Sequence, residues 1–331
     1  MYGMKKRKNT IVVVNSFKGG AGKTSIALSY CVTRTFQNKK KEKQNKKKVD
    51  EKVFFVDIDL LGTGSRYILL GEGAGEVKWL NSEDKTGIGS RLVLDQYVNV
   101  LKMSQEPVGE FELYGILSNP VIDSYFQEGS SYRKNRSVEE ARYRNKVKSV
   151  LQEIMRDGSD NYIVLDCSPG VSRMEKELLN IVYQEARDNQ EVEIEVQELY
   201  ITTYDNGHFN KTIQNLKNEA QTLRISGKRN INVILNDIHN IAALRTLSDS
   251  QEWSEGGFNF QLKEKEAVEK IQEELENIDN LKVSTVEYNY SMAASSLYNN
   301  AEILVSHPDK YILNEKNFHE YGEQEYEEND M

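Results

Sequence analysis

Six short runs of apolar, often β-branched residues recur along the chain: Ile11–Val14, Val53–Ile58, Tyr162–Asp166, Leu199–Thr203, Ile231–Leu235 and Leu281–Val286. Most are nearly continuous rather than alternating, the pattern of a strand buried on both faces. Between them, apolar residues recur three and four positions apart. Val147, Val150, Leu151, Ile154 and Met155 mark one helix, ended by Asp157-Gly158, and Met174–Arg187 reads as another. Phe209, Ile213, Leu216, Ala220 and Leu223 mark a third, and Val268, Ile271, Leu275 and Ile278 a fourth. Strands alternating with helices return by right-handed crossovers and build a parallel sheet covered on both faces. The expected fold is therefore α/β: a doubly wound, mostly parallel sheet flanked by helices. The 331 residues suit one large domain of this kind, and no linker or internal repeat divides them.

The first run leads into Ser16–Ser25, SFKGGAGKTS, and then into a helix expected from Thr24 to about Gln37. Strand, Gly-rich turn and helix N-terminus in that order are the setting of the phosphate-binding pattern G-x-x-x-x-G-K-[ST]. Its first glycine is Phe17 here. Gly19, Gly20 and Gly22, with Ala21 between them, let the backbone curl and aim its N–H groups at phosphate oxygens. The helix adds the positive end of its dipole. Lys23 is placed to reach the β- and γ-phosphates of ATP, Thr24 to offer its hydroxyl to Mg²⁺, and Ser25 to help at the α-phosphate.

Such a site also needs a carboxylate at a neighbouring strand end to hold Mg²⁺ through water. Asp166 closes YIVLD, and Asp57 and Asp59 close VFFVDID. Both strand ends fall on the sheet edge where open α/β folds bind ligands. Two acids near one triphosphate imply that one serves the metal and another orients the attacking water. The candidate metal set is Thr24, Asp166 and Asp57.

These motifs resemble the ParA/MinD family of deviant-Walker P-loop ATPases, closest to the ParA-like partition and positioning members. The loop K-G-G-x-G-K-[ST] is matched by Lys18 to Thr24, the D-x-D by Asp57-Ile58-Asp59, and the D-x-P-P-G by Asp166-Cys167-Ser168-Pro169-Gly170, in that order. Leu60 and Ser168 stand where the family usually has prolines. The likeness spans roughly residues 9–305. It implies an ATP-dependent homodimer in which Lys18 reaches the phosphates held by the other subunit. It also implies that Asp59 positions the hydrolytic water, that Asp166 holds Mg²⁺ through water, and that Asn236, ending INVILN, contacts adenine. The catalytic residues so implied are Lys18, Lys23 and Asp59. The resemblance implies slow, partner-stimulated ATP hydrolysis used to place DNA or a protein cargo.

The formal charge of -9 is unevenly spread: residues 1–52 hold 15 Lys or Arg against 3 Asp or Glu, and the remainder holds 28 against 49. Asn38–Lys48, NKKKEKQNKKK, has seven lysines and nothing apolar, and reads as a solvated loop. That loop, Lys5–Lys8, and Arg133, Lys134 and Arg136 are the candidates for non-specific DNA binding. Residues 71–136 read as an insertion, with a Gly-rich turn near Gly71–Gly75, a helix near Leu92–Met103 and a strand near Glu112–Leu117. Glu191–Glu198 reads as an acidic connection. The domain is expected over 1–308, followed by an acidic tail over 309–331.

Other classes are weighed against this reading. The acidic tail argues against a membrane anchor, and the absence of a leader-like segment or long apolar run points to the cytoplasm. Cys31 and Cys167 make no disulfide framework or cluster site, and the four histidines have no metal spacing. Tyr321 and Tyr326 in the tail keep a P-loop tyrosine kinase as an alternative, and a non-hydrolysing ATP-bound scaffold is another.

Overall fold

The computed structural model describes residues 6–59, 98–105, 109–116, 145, 147–156, 158–170, 173–222, 228–238, 240, 264–290 and 308–321. Among the described residues nine strands form one sheet. They are β1 (Arg7–Asn15), β2 (Glu51–Asp57), β3 (Val98–Gln105), β4 (Gly109–Ile116), β5 (Asp160–Asp166), β6 (Val192–Thr202), β7 (Ile231–Asn236), β8 (Leu281–Val286) and β9 (Phe318–Tyr321). Their spatial order is β3-β4-β2-β5-β1-β6-β7-β8-β9. The seven strands from β4 to β8 are mutually parallel. One antiparallel strand flanks them at each edge, β3 on β4 and β9 on β8.

Helices cover both faces, as the unbroken apolar runs require. The helix α1 (Lys23–Asn45) packs Ile26, Leu28 and Val32 against Val12, Val14, Phe55 and Val164. On the other face, the helical residues 147–156 (α2) and α3 (Arg173–Asp188) cover Ile11, Val13, Phe54 and Leu165. There too, α4 (Asn206–Thr222) and α5 (Glu264–Glu274) cover Tyr200, Val233 and Leu235. Neighbouring β1 residues thus face opposite cores, as the two-residue period of a strand demands.

Four local expectations give way to tertiary context. The lysine-rich segment is no loop as far as Asn45, because α1 runs through it to a left-handed C-cap at Lys46. Lys, Gln and Glu are good helix formers. Glu42 pairs with Lys39 at 3.1 Å and also accepts the Val49 N–H, and Arg34 and Asn38 both bind Glu51 at the start of β2. The region expected as a helix at Leu92–Met103 holds β3 from Val98, since the antiparallel partner β4 overrides an ambiguous apolar pattern. The acidic connection at Glu191–Glu198 is β6 from Val192, paired along its length with β1. Residues 308–321 do not trail into solvent: Tyr311 is buried, and β9 closes the sheet edge with the Tyr321 hydroxyl donating to Glu264 at 2.5 Å. The expectations for Lys5, Gly71–Gly75, Arg133, Lys134, Arg136 and Tyr326 lie outside the described residues.

A charged cluster sits where β6 and β7 meet α4. Glu198 is fully buried and binds Arg229 through two nitrogens, at 2.7 and 2.5 Å, while accepting the hydroxyls of Tyr183 and Tyr200. Removing one partner of such a pair strands the other charge. Arg229→Met should therefore lower unfolding free energy by about 3 kcal/mol or more in urea titrations, whereas a loss under about 1 kcal/mol would mean the two tyrosines alone satisfy Glu198.

Candidate functional site

Because β1, β2, β5, β6 and β7 are parallel, their carboxyl ends lie on one edge of the sheet. Register places Asp57 beside Asp166, and Val14, just before the loop, beside Asp166 on its other side. Backbone bonds then lash the segments together: Cys167 N–H to Val14 O, Ile58 N–H to Asp166 O, and Gly170 N–H to Ser16 O.

The loop from Ser16 to Gly22 takes left-handed backbone angles at Gly20 (φ 86) and Gly22 (φ 78). These values favour glycine. At Gly22 a side chain is also excluded sterically, since a Cβ there would overlap Asn236 Nδ2. Phe17, where the general pattern has glycine, is buried and stacks on Tyr200 with ring centroids 5.3 Å apart. That residue anchors the loop to the core instead of wrapping a ligand. The helix α1 begins at Lys23 with no side-chain cap and no acid in its first turn. Its N-terminal end therefore keeps the full dipole for an incoming anion.

The two loop lysines are separated by environment. Lys23 is buried, and its Nζ donates to Asp166 Oδ1 at 2.5 Å. Burial works against its charge, but the Asp166 carboxylate, with help from Asp59, holds its pKa above the ordinary lysine value. Thr24 Oγ1 donates to the other Asp166 oxygen at 2.7 Å. Lys18 is exposed, and its Nζ lies over Gly207, where an added Cβ would come within 3.2 Å of it. Gly19 and Gly20 are exposed, Ala21 is buried, and Ser25 is half-buried in the first turn of α1. Asp57 is buried and accepts the Asp59 N–H at 2.9 Å, and Asp59 is half-buried just beyond β2. Asn236 ends β7 and donates through Nδ2 to Ala21 O at 2.9 Å.

All the residues anticipated for the site thus meet at one edge. Sequence reasoning missed two others. His208, in the first turn of α4, places Nε2 3.0 Å from Gly19 O. Its Nδ1 lies 2.5 Å from Asp205 Oδ2 and 2.8 Å from Thr203 Oγ1. Asp205 also caps α4 by accepting the Gly207 and His208 N–H groups. Burial alone would raise the Asp205 pKa, but the Thr203 hydroxyl, the capped amides and the His208 ring bring it below the usual carboxylate value. An acid just ahead of a helical apolar period was the available signal for the cap; nothing in the sequence signalled the contact to Gly19.

The same architecture occurs among solved structures. The chain is similar to a ParA family ATPase from Chlorobium tepidum TLS, at 16% identity over 92% of this chain and 94% of that one, with a TM-score of 0.52. The likeness is one of fold, a mostly parallel sheet flanked by helices. The chain is also similar to the MinC:MinD cell division protein complex of Aquifex aeolicus (15% identity, 89% and 88% covered, TM-score 0.49) and to McdA of Cyanothece in an ATP complex (14%, 93% and 94%, 0.45). No family model matches the chain, and no curated protein sequence matches it.

The donors gathered around Thr24, Asp166 and Asp57 are all oxygen, the chemistry Mg²⁺ prefers. Among the described residues no group of three His, Cys, Asp or Glu forms a metal cage. A hard ion held by few protein oxygens, with phosphates and water completing its shell, fits that arrangement. Gly22→Ala should destabilise the protein by about 1–2 kcal/mol from its left-handed angle alone, with a further loss from the Asn236 contact. Adding Asn236→Ala should recover the second part in a double-mutant cycle read by urea unfolding.

Proposed function

We propose that this protein is a Mg²⁺-dependent ATPase that dimerises around ATP and uses slow hydrolysis as a switch for placing DNA or a protein cargo. The observation that carries the reading is the division between two loop lysines: Lys23 buried on Asp166 within the chain, Lys18 exposed at the rim. A lysine that only neutralised its own loop's ligand would have no reason to stand outside it.

In this reading Lys23 leaves Asp166 for the β- and γ-phosphates, and the loop amides with the uncapped end of α1 hold the remaining oxygens. Thr24, Asp166 and Asp57 hold Mg²⁺, the last two through water. The ion neutralises charge building on the phosphate oxygens when bound. Asp59, just beyond β2 and half-buried, orients the attacking water. Lys18 of one subunit meets the γ-phosphate held by the other, so that the dimer is stable only with ATP in place. Asn236, besides holding Ala21, is the residue assigned to the adenine.

The basic end of α1 is the part best suited to DNA. Lys40, Lys41, Lys43, Lys46, Lys47 and Lys48 are exposed there, and the helix's 23 residues place that end about 35 Å from the loop. Its contact would be made to the phosphate backbone and would weaken with salt. The tyrosine-kinase alternative loses support because Tyr321 is a strand residue hydrogen-bonded to Glu264. Among the described residues no helix is long and apolar enough to cross a membrane.

Wild type should release phosphate from ATP slowly and only with Mg²⁺. Asp59→Ala should accumulate as an ATP-bound dimer on a sizing column, and Lys18→Ala should stay monomeric. An Asp59→Ala protein that remains monomeric with Mg-ATP overturns the dimer switch. DNA retention measured with and without ATP, from low to high salt, should be ATP-dependent, salt-sensitive and lost in Lys18→Ala.

A further inference from the structure

The loop carbonyls of Gly19 and Ala21 are each held from outside by a side chain of another segment. Asn236, ending β7, donates to Ala21 O at 2.9 Å, and His208, just past β6, reaches Gly19 O at 3.0 Å. A carbonyl and a carboxylate only accept, so His208 Nε2 carries the hydrogen for Gly19 O and Nδ1 the one that faces Asp205. Each pinned carbonyl precedes one of the loop's two left-handed glycines, Gly20 (φ 86) and Gly22 (φ 78). In a trans peptide the C=O of one residue and the N–H of the next point in opposite directions. Drawing Gly19 O toward His208 therefore turns the Gly20 N–H away from it, and drawing Ala21 O toward Asn236 does the same for the Gly22 N–H. Left-handed residues alternating in this way are how successive amides come to converge on an anion.

We propose that His208, aligned by Asp205, is a positioning residue that presets the Gly20 amide for phosphate. The inference rests on the reading of this loop as a nucleotide site. Its own support is geometric. His208 is buried, its ring is held on one side by Asp205 and Thr203, and on the other its Nε2 meets the loop carbonyl. The Asp205 carboxylate does two jobs at once, capping α4 through the Gly207 and His208 amides and fixing the imidazole. Lys18 Nζ rests over Gly207 in the same turn. One helical turn therefore braces the loop carbonyl and lies beneath the rim lysine. An unpinned loop would have to select its binding conformation from several, and that ordering would be subtracted from affinity.

Three variants separate positioning from simple structural support. Glutamine places an amide N–H near the Nε2 position, leucine fills similar space without a donor, and Asp205→Asn keeps an N-cap acceptor while weakening the hold on the ring. Titration of each purified chain with Mg-ADP, followed by calorimetry, gives Kd. Thermal unfolding without nucleotide reports the fold. His208→Leu should raise Kd about fivefold to tenfold, the worth of one lost hydrogen bond, and His208→Gln should stay within about twofold of wild type. Asp205→Asn should fall between them. If His208→Leu binds like wild type, or His208→Gln is as weak as His208→Leu while folded, this inference is overturned alone. A folded wild type that binds no nucleotide overturns the proposed function and this inference together. Should His208→Leu not fold, the intermediate Kd expected of Asp205→Asn decides, and a wild-type value there counts against the inference.

Discussion

The contact on which the site depends is the buried ion pair between Lys23 and Asp166, with Thr24 on the second carboxylate oxygen. Taking two such charges out of water costs several kcal/mol per ion, and only close, hydrogen-bonded geometry offsets that. Three separate segments must cooperate to supply the geometry. Parallel pairing of β1 with β5 sets the height of Asp166 against the loop. The first turn of α1 points Lys23 and Thr24 back over the strand end. The apolar faces of β1 and α1 bury the result. In the proposed reading an anion bound in the loop would compete with Asp166 for Lys23, which would make Asp166 the resting partner of that cation.

Around that pair the loop is braced from several sides. Phe17 is stacked on Tyr200, whose hydroxyl joins the Glu198 and Glu219 carboxylates. Ser16 O accepts the Gly170 amide. Asn236 and His208 hold alternate carbonyls. Bracing of this kind restricts a glycine-rich segment that would otherwise sample many conformations. Lys18 stays outside the brace and exposed at the rim.

Much of this was legible in the sequence. The alternation of apolar runs and helical periods was enough to expect a parallel, doubly wound sheet, and the observed strands β1, β2, β5, β7 and β8 fall on those runs. The loop, Asp57, Asp59, Asp166 and Asn236 were all visible because each stands where such a run stops. What escaped was set by partners distant in the chain. Val98–Gln105 is a strand because β4 lies beside it, and Phe318–Tyr321 because β8 does. Asn38–Asn45 stays helical with the help of Glu51, which takes Arg34 and Asn38 from α1. His208 gave no sign, since its role arises only when the turn after β6 meets the loop after β1.

By itself the sequence determined the elements and the residues at their ends, because apolar periodicity and glycine placement are local properties of the chain. It also made the two lysines distinct by their position before and after the glycines. Only the tertiary structure decided which acid meets Lys23. β5 inserts between β1 and β2, so Asp166 is adjacent to the loop and Asp57 stands one strand further away. That order depends on how the crossover connections bury both faces of the sheet, a choice made among distant segments and not written in any one of them.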